Sequence, residues 1–304
     1  MRRVLCLAVL VLAGCGSEPR LTSEPAPTGT LFLAGREPGT MTRVDVTAGT
    51  ATSHRVPQLS GGDPPYMVAY TGGRVVVFGL GRTTSLAPDL SDPRSLGEAW
   101  FFVPSATPGR VWNILLKGGE KATQIHFRGV REVQVDGTPV RARHAPVPGW
   151  PLGATRDGLL IQADDHLSVW DPAQARIVRR VPGLFPLGIR PDLVAACPNA
   201  CKAVHFTDGR TVRGPFESAV SGAFSPDGRM LAVATERGRI VLIESTTWRY
   251  LPTARTGDYP ALTWSSSGWL FYGVGAHRIG AWRPGASARV LPMRVEKFVA
   301  MAAD

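Results

Sequence analysis

Few residues in this chain have the type and spacing that chemistry requires. In "ADDHL", Asp164 and Asp165 precede His166. A carboxylate beside an imidazole is the minimal unit for acid–base work, and with further donors it holds a metal. Cys197 and Cys201, with His205 four positions on, bring two thiols and an imidazole into one short stretch. Zinc takes four such ligands, and the fourth is missing here. The stretch "GLG", Gly79 to Gly81, lacks the third glycine and the following helix that a phosphate-binding loop needs. Neither G-x-S-x-G nor H-E-x-x-H occurs. The sequence therefore assigns no catalytic residue, no metal ligand and no cofactor, and it leaves the ligand-binding residues unknown.

The elements that would position these residues belong to a repeat. "FSPDGRMLAVATERGRIVLIES", Phe224 to Ser245, divides into a turn, a strand, a second turn and a second strand. "AVSGAF" before it and "WRYLPTA" after it complete four short strands, which is one blade of a propeller. Apolar residues alternate or form short runs, and no long helical period appears. The same grammar recurs from Tyr259 to Pro292 and from Pro151 onward, with a further copy between them that carries Cys197 and Cys201. Two weaker copies, around Gly72–Gly73 and Pro108–Gly109, precede these. The first turns recur at spacings of roughly 35–50 residues, the range of four-stranded blades. A seventh unit is split: "TLFLAG", "MTRVDVTAG" and "ATSHRVP" supply three strands, and the C-terminal "VEKFVAMAAD" supplies the missing one. The expectation is an all-β protein, a β-propeller of seven four-stranded blades closed by pairing the N- and C-terminal strands. Six or eight blades stay open as alternatives, because two copies are degenerate.

Within that frame "ADDHL" falls in a turn between second and third strands, where Asp is favoured for local hydrogen bonding. Asp227 belongs to the recurring "SPDG" turn in the same way. Trp170 and Trp282 occupy equivalent places near the ends of third strands, which points to packing between blades. Trp150 and Trp269 recur less regularly and are candidates for an exposed contact. "SGGDPP", Ser60 to Pro65, connects two blades and is a candidate rim loop. Cys197 and Cys201 sit at the facing ends of a hairpin, close enough for a bond. In an oxidising compartment this reads as a disulfide that contributes about 2 kcal/mol. A metal site with His205, or free thiols, are the alternatives.

The start of the chain has a separate logic. Arg2 and Arg3 precede an apolar run from Val4 to Gly14, too short to span a membrane as a helix and suited to a signal segment. It ends in "LAGC", Leu12 to Cys15, which resembles the lipobox of bacterial lipoproteins. The resemblance implies cleavage before Cys15, attachment of diacylglycerol to its sulfur, and further acylation in many species. An ordinary signal peptide with an incidental cysteine is the alternative. The expected organisation is a signal peptide over 1–14, a lipidated Cys15 with a Pro-rich tether over 15–29, and the propeller over 30–304. The expected location is the outer side of the cell membrane, with the lipid as the membrane partner.

The formal charge of +10 becomes +8 once Arg2 and Arg3 leave with the signal. Most of the basic residues are arginines spread along the chain, and "RIVRRV", Arg176 to Val181, is the one local cluster. A basic face would attract anionic polymers or headgroups. Scattered, solvated arginines would not. No zinc finger or aromatic RNA-binding signature appears, so nucleic acid is not an expected partner.

"SPDGRMLAVAT" and the "SVWD" of Ser168 to Asp171 resemble bacterial WD40-type and TolB-like β-propellers, most clearly from Gly149 to Pro292. "WD" occurs once, at Trp170–Asp171, "WR" replaces it at Trp282–Arg283, and no Gly-His dipeptide precedes a blade. The buried polar network of the WD40 family is therefore not carried over. The resemblance speaks for architecture and not for function; seven rigid blades with no site motif lead to the expectation of a monomeric, non-catalytic binding or scaffold module for an envelope protein or ligand. The alternative is a propeller hydrolase or lactonase with a metal or acid–base site at the channel mouth.

Overall fold

The computed structural model describes residues 24–59, 67–79, 81–116, 127–143, 146–163, 165–198, 201–256 and 261–304. Three strands open the chain: β1 (Thr30–Gly35), β2 (Thr40–Asp45) and β3 (Thr50–Arg55). Blade 1 follows as β4 (Val68–Thr71), β5 (Arg74–Gly79), β6 (Arg82–Leu86) and β7 (Arg94–Glu98). Blade 2 is β8 (Phe101–Pro104), β9 (Arg110–Leu116), β10 (Phe127–Gln134) and β11 (Pro139–Arg143). Blade 3 is β12 (Trp150–Thr155), β13 (Gly158–Ala163), β14 (His166–Asp171) and β15 (Arg176–Val181). Blade 4 is β16 (Phe185–Ile189), β17 (Val194–Cys197), β18 (Ala203–Phe206) and β19 (Thr211–Arg213). Blade 5 is β20 (Ala219–Phe224), β21 (Met230–Thr235), β22 (Arg239–Glu244) and β23 (Thr247–Arg255). Blade 6 is β24 (Leu262–Trp264), β25 (Leu270–Val274), β26 (Arg278–Trp282) and β27 (Arg289–Val290). The last strand, β28 (Phe298–Ala303), joins the first three in the order β28-β1-β2-β3 to make blade 7. The architecture is a seven-bladed propeller closed between the chain's two ends.

Closure is a full ladder. Leu31 pairs with Ala303, Phe32 with Ala302 and Leu33 with Met301. The Asp304 carboxylate accepts from the Thr30 N–H at 3.0 Å. Pairing the two ends leaves no blade without its inner strand and no open edge at the seam.

Strand chemistry changes with distance from the axis. The first strands of neighbouring blades approach one another and form the inner wall. None of the seven carries an Asp, Glu, His, Lys or Arg. Second strands are the most deeply buried; β21, "MLAVAT", is buried at every position. Such strands are sandwiched between blades, which removes the need for a polar face. Each of the seven fourth strands, the outermost, carries at least one arginine, as at Arg55, Arg94, Arg141, Arg179, Arg213, Arg249 and Arg289. The long charged stems cover apolar neighbours and keep the outer edges from pairing with another chain. "RIVRRV" is one such edge, the fourth strand of blade 3.

The core is divided among the gaps between blades. Trp112 and Ile114 of blade 2 pack on Leu159, Ile161 and Trp170 of blade 3. Met230 and Leu242 of blade 5 pack on Leu270, Tyr272 and Trp282 of blade 6. Leu31 and Leu33 of blade 7 pack on Phe271 and Ile279 of blade 6. Burying one such large side chain contributes about 1.5–3 kcal/mol. Trp170 and Trp282 are buried at these gaps, as their equivalent positions predicted.

One face carries the turns between first and second strands, and here neighbouring blades are linked by hydrogen bonds. Gly109 N–H donates to the Thr71 hydroxyl at 2.8 Å, and Arg156 N–H to the Pro191 carbonyl at 2.8 Å. The Arg190 guanidinium donates to the Ser225 and Pro226 carbonyls at 2.9 and 2.7 Å. Gly72, at φ +57°, lies so close to Gly109 that a Cβ would collide with its Cα, so glycine is required there. We refer to this as the turn face. The first strands begin on the opposite side, the mouth face.

Candidate functional site

The mouth face is where this fold leaves large apolar side chains in water. Trp150 opens β12 and is 40% exposed, Phe185 opens β16 and is 46% exposed, and Val220 is second in β20 and 45% exposed. These belong to three consecutive blades and lie at the same end of their strands. Among the described residues, the other exposed large apolar side chains (Val140, Ile177, Val178, Trp248, Tyr250 and Val290) all lie on fourth strands. The mouth group is therefore separate from the outer edges.

Trp150 is held from behind. With Trp100, Phe101 and Phe127 it forms a four-ring cluster whose centroids are 5.2–5.9 Å apart. Phe101 stacks on Trp150 with ring planes 12° apart, and Trp100 meets it edge-on at 5.2 Å. Phe127 is buried and anchors the group. An exposed ring fixed by its neighbours loses little rotamer freedom on contact, which favours binding. Phe185 is supported differently. It pairs with Cys197, which is bonded to Cys201 with a Cα–Cα distance of 4.9 Å, and Leu184 N–H donates to the Cys197 carbonyl at 2.7 Å. The disulfide thus staples the hairpin end beside Phe185.

The predicted chemical residues separate. The disulfide consumes both thiols, and His205 Nδ1 lies 3.0 Å from the Thr211 hydroxyl, so the zinc alternative has no ligand set. Asp165 is exposed, and His166, 2.8 Å away, holds its carboxyl below the usual carboxylate range. This is a local turn pair, and Asp164 lies outside the described residues. So do Cys15 and the loop Ser60 to Pro65. Asp227 accepts from the Ser225 hydroxyl at 2.6 Å and the Arg229 N–H at 3.1 Å, which is turn chemistry. Burial pushes the Tyr272 phenol up to about 12, so it stays protonated at neutral pH. Among the described residues, no three His, Cys, Asp or Glu side chains converge.

One expectation is overturned. Trp269 was a candidate for exposed contact, and it is fully buried in the gap between blades 6 and 7. It occupies the position of exposed Arg229 in blade 5, but here Arg283 and Arg289 cover its ring at 5.1 and 5.7 Å. Phe185 and Val220 did not stand out in the sequence. Their signal is positional, since each begins a first strand in its copy, where Trp150 begins another.

No family model and no curated protein matches the chain. Solved structures do. AztD of Citrobacter koseri is 10% identical with a TM-score of 0.54, covering 90% of this chain and 97% of AztD. The WD40 domain of Pan2 from Neurospora crassa is 12% identical with a TM-score of 0.59, covering 92% of this chain and 93% of the domain. A Bacteroides uniformis protein provisionally assigned as a 6-phosphogluconolactonase is 13% identical with a TM-score of 0.61, covering 91% of this chain and all of that one. At such identities the likeness is one of fold, a β-propeller of WD40-like architecture that hosts many unrelated functions.

Proposed function

We propose that the protein is a lipid-anchored binding module of the cell envelope, held at the membrane through Cys15 and engaging a partner protein with its mouth face. One observation carries this reading: the arc formed by Trp150, Phe185 and Val220 around the opening of the propeller. Grouped, exposed apolar side chains on a soluble surface mark contact sites, and rigid aromatic anchors are where binding energy concentrates. The inner wall behind the arc has no ionisable side chain on its strands, so contact there is apolar or through neutral hydrogen bonds. A hydrolytic site within the channel would need acids or histidines on the inner wall, and the described first strands offer none.

The path of the N-terminal segment fits this reading. The Glu24 carboxylate accepts from the Ser287 hydroxyl at 2.8 Å, and Arg289 donates to the Pro25 carbonyl at 2.8 Å, on the turn-face side of blade 6. Cys15 lies nine residues before Glu24, at most about 30 Å of extended chain. An anchor at Cys15 thus holds the molecule by its turn-face rim and leaves the mouth face open to a partner.

The test is crosslinking in intact cells followed by mass spectrometry of captured proteins. The wild-type protein is expected to float with membranes and to capture a partner. Cys15→Ser should move to the soluble fraction, and Trp150→Ser with Phe185→Ser should lose the partner while still melting in one cooperative transition, lowered by the loss of the Trp150 ring from its cluster. A Cys15→Ser variant that still floats sinks the anchor. Unchanged capture by the double variant sinks the mouth-face assignment.

A further inference from the structure

The mouth face also carries a groove of about 800 Å³ where blades 6 and 7 meet. Three segments build it: Gly35 to Pro38 between β1 and β2, His277 just before β26, and Arg294 to Lys297 leading into β28. Backbone hydrogen bonds join them. Arg36 N–H donates to the Lys297 carbonyl at 2.8 Å, and Val295 N–H to the His277 carbonyl at 3.0 Å. His277 Nδ1 lies 3.1 Å from the Val295 carbonyl, which can only accept. Nδ1 therefore carries the proton, and Nε2 is the ring nitrogen left for other contacts.

Elsewhere in the molecule several turn arginines are matched with nearby aspartates, while others, such as Arg237 and Arg278, make no ion pair among the described residues. Arg74 pairs with Asp92, Arg190 with Asp192, Arg210 with Asp208 and Arg229 with Asp227. In the groove Arg36, Arg294 and Lys297 have no side-chain partner among the described residues, although Glu37 and Glu296 line the same space. Cations grouped without partners on a preformed surface are poised for an external anion.

We propose that this groove takes the acidic side chain of a peptide segment whose apolar residues sit on the arc of Trp150, Phe185 and Val220. The inference rests on the mouth face being the contact surface, and it names the partner's chemistry. The three cations suit a single carboxylate. Glu37 and Glu296 disfavour a polyanion or an anionic bilayer, whose many charges they would repel, while offering acceptors to peptide N–H groups. The groove also opens on the face opposite the segment that leads to Cys15, away from a membrane anchored there.

The experiment uses the full-length chain in detergent, immobilised and exposed to a random heptapeptide library read by mass spectrometry. Recovered peptides should be enriched in Asp or Glu alongside aromatic or aliphatic residues. The variant Arg36→Glu, Arg294→Glu, Lys297→Glu should lose the acidic enrichment and bind the wild-type peptides about tenfold more weakly. Raised salt should weaken the wild-type interaction, as expected for an exposed charge contact. Acidic enrichment without the apolar component supports the groove and sinks the mouth arc. Apolar enrichment without the acidic component overturns the groove and keeps the arc. Recovery of no peptide overturns both. Sedimentation with phosphatidylglycerol vesicles, lost on the triple reversal and without acidic peptide enrichment, would assign the groove to headgroups and overturn the peptide proposal.

Discussion

At the residue scale, Asp227 and Gly228 show how little of the acid content is available for chemistry. The Ser225 hydroxyl, and after it the Arg229 N–H, hold the Asp227 carboxyl below the ordinary carboxylate range. A group whose folded-state value is lowered stabilises above its unfolded value, and that contribution is lost as pH falls through the folded value. The melting-temperature gap between wild type and Asp227→Ala should therefore be present at neutral pH and narrow below about pH 4. A gap that holds constant in acid would refute the charged role. Gly228 sits at φ +74°, with the Arg190 guanidinium 3.0 Å from where a Cβ would lie. Gly228→Ala should cost about 1 kcal/mol or more in a denaturant melt, since it strains the turn and disturbs the bond from blade 4 to blade 5.

At the element scale, the distribution of charge across the strands accounts for much of the basic composition. First strands have none, because they form the inner wall. Fourth strands each carry arginine, because they are the edges of the sheets. In β15, Ile177 and Val178 are exposed between Arg176, Arg179 and Arg180. Replacing the three arginines by threonine keeps strand propensity and removes the charges that discourage edge pairing. That variant should show concentration-dependent growth in light scattering, with its melting temperature nearly unchanged at low concentration. A monodisperse variant at high concentration would mean that the arginines serve something other than edge protection. "RIVRRV" was legible as a cluster in the sequence, but its place on an edge was not, because only the sheet order reveals which strand lies outermost.

At the scale of the whole molecule, stability is shared around a ring. Each apolar cluster lies between two blades, so removing one inner strand exposes two gaps together. Deleting the last nine residues removes β28 and with it the pairs Leu31–Ala303 and Leu33–Met301. The expected result is a marked fall in melting temperature and rapid proteolysis of the entire domain. A truncated chain that melts like wild type would show that the ring does not depend on closure.

The sequence by itself determined the repeat and the closing strand, and pointed to seven blades and the disulfide, which the structure decided against the alternatives left open. All are written in local patterns: turn residues, runs of buried strand residues and two cysteines at one hairpin end. Its reading of Trp170 and Trp282 rested on their recurrence in equivalent positions, and that sufficed. Trp269 was misjudged because neighbouring side chains decide its exposure, and Arg283 and Arg289 come over it only when blade 6 folds. Trp150 was legible as a candidate for exposed contact, but its grouping with Phe185 and Val220, and the groove of Arg36, Arg294 and Lys297, were invisible for a related reason. Their members are scattered over much of the chain, and only closing the ring brings the starts of the first strands and the seam segments onto one face.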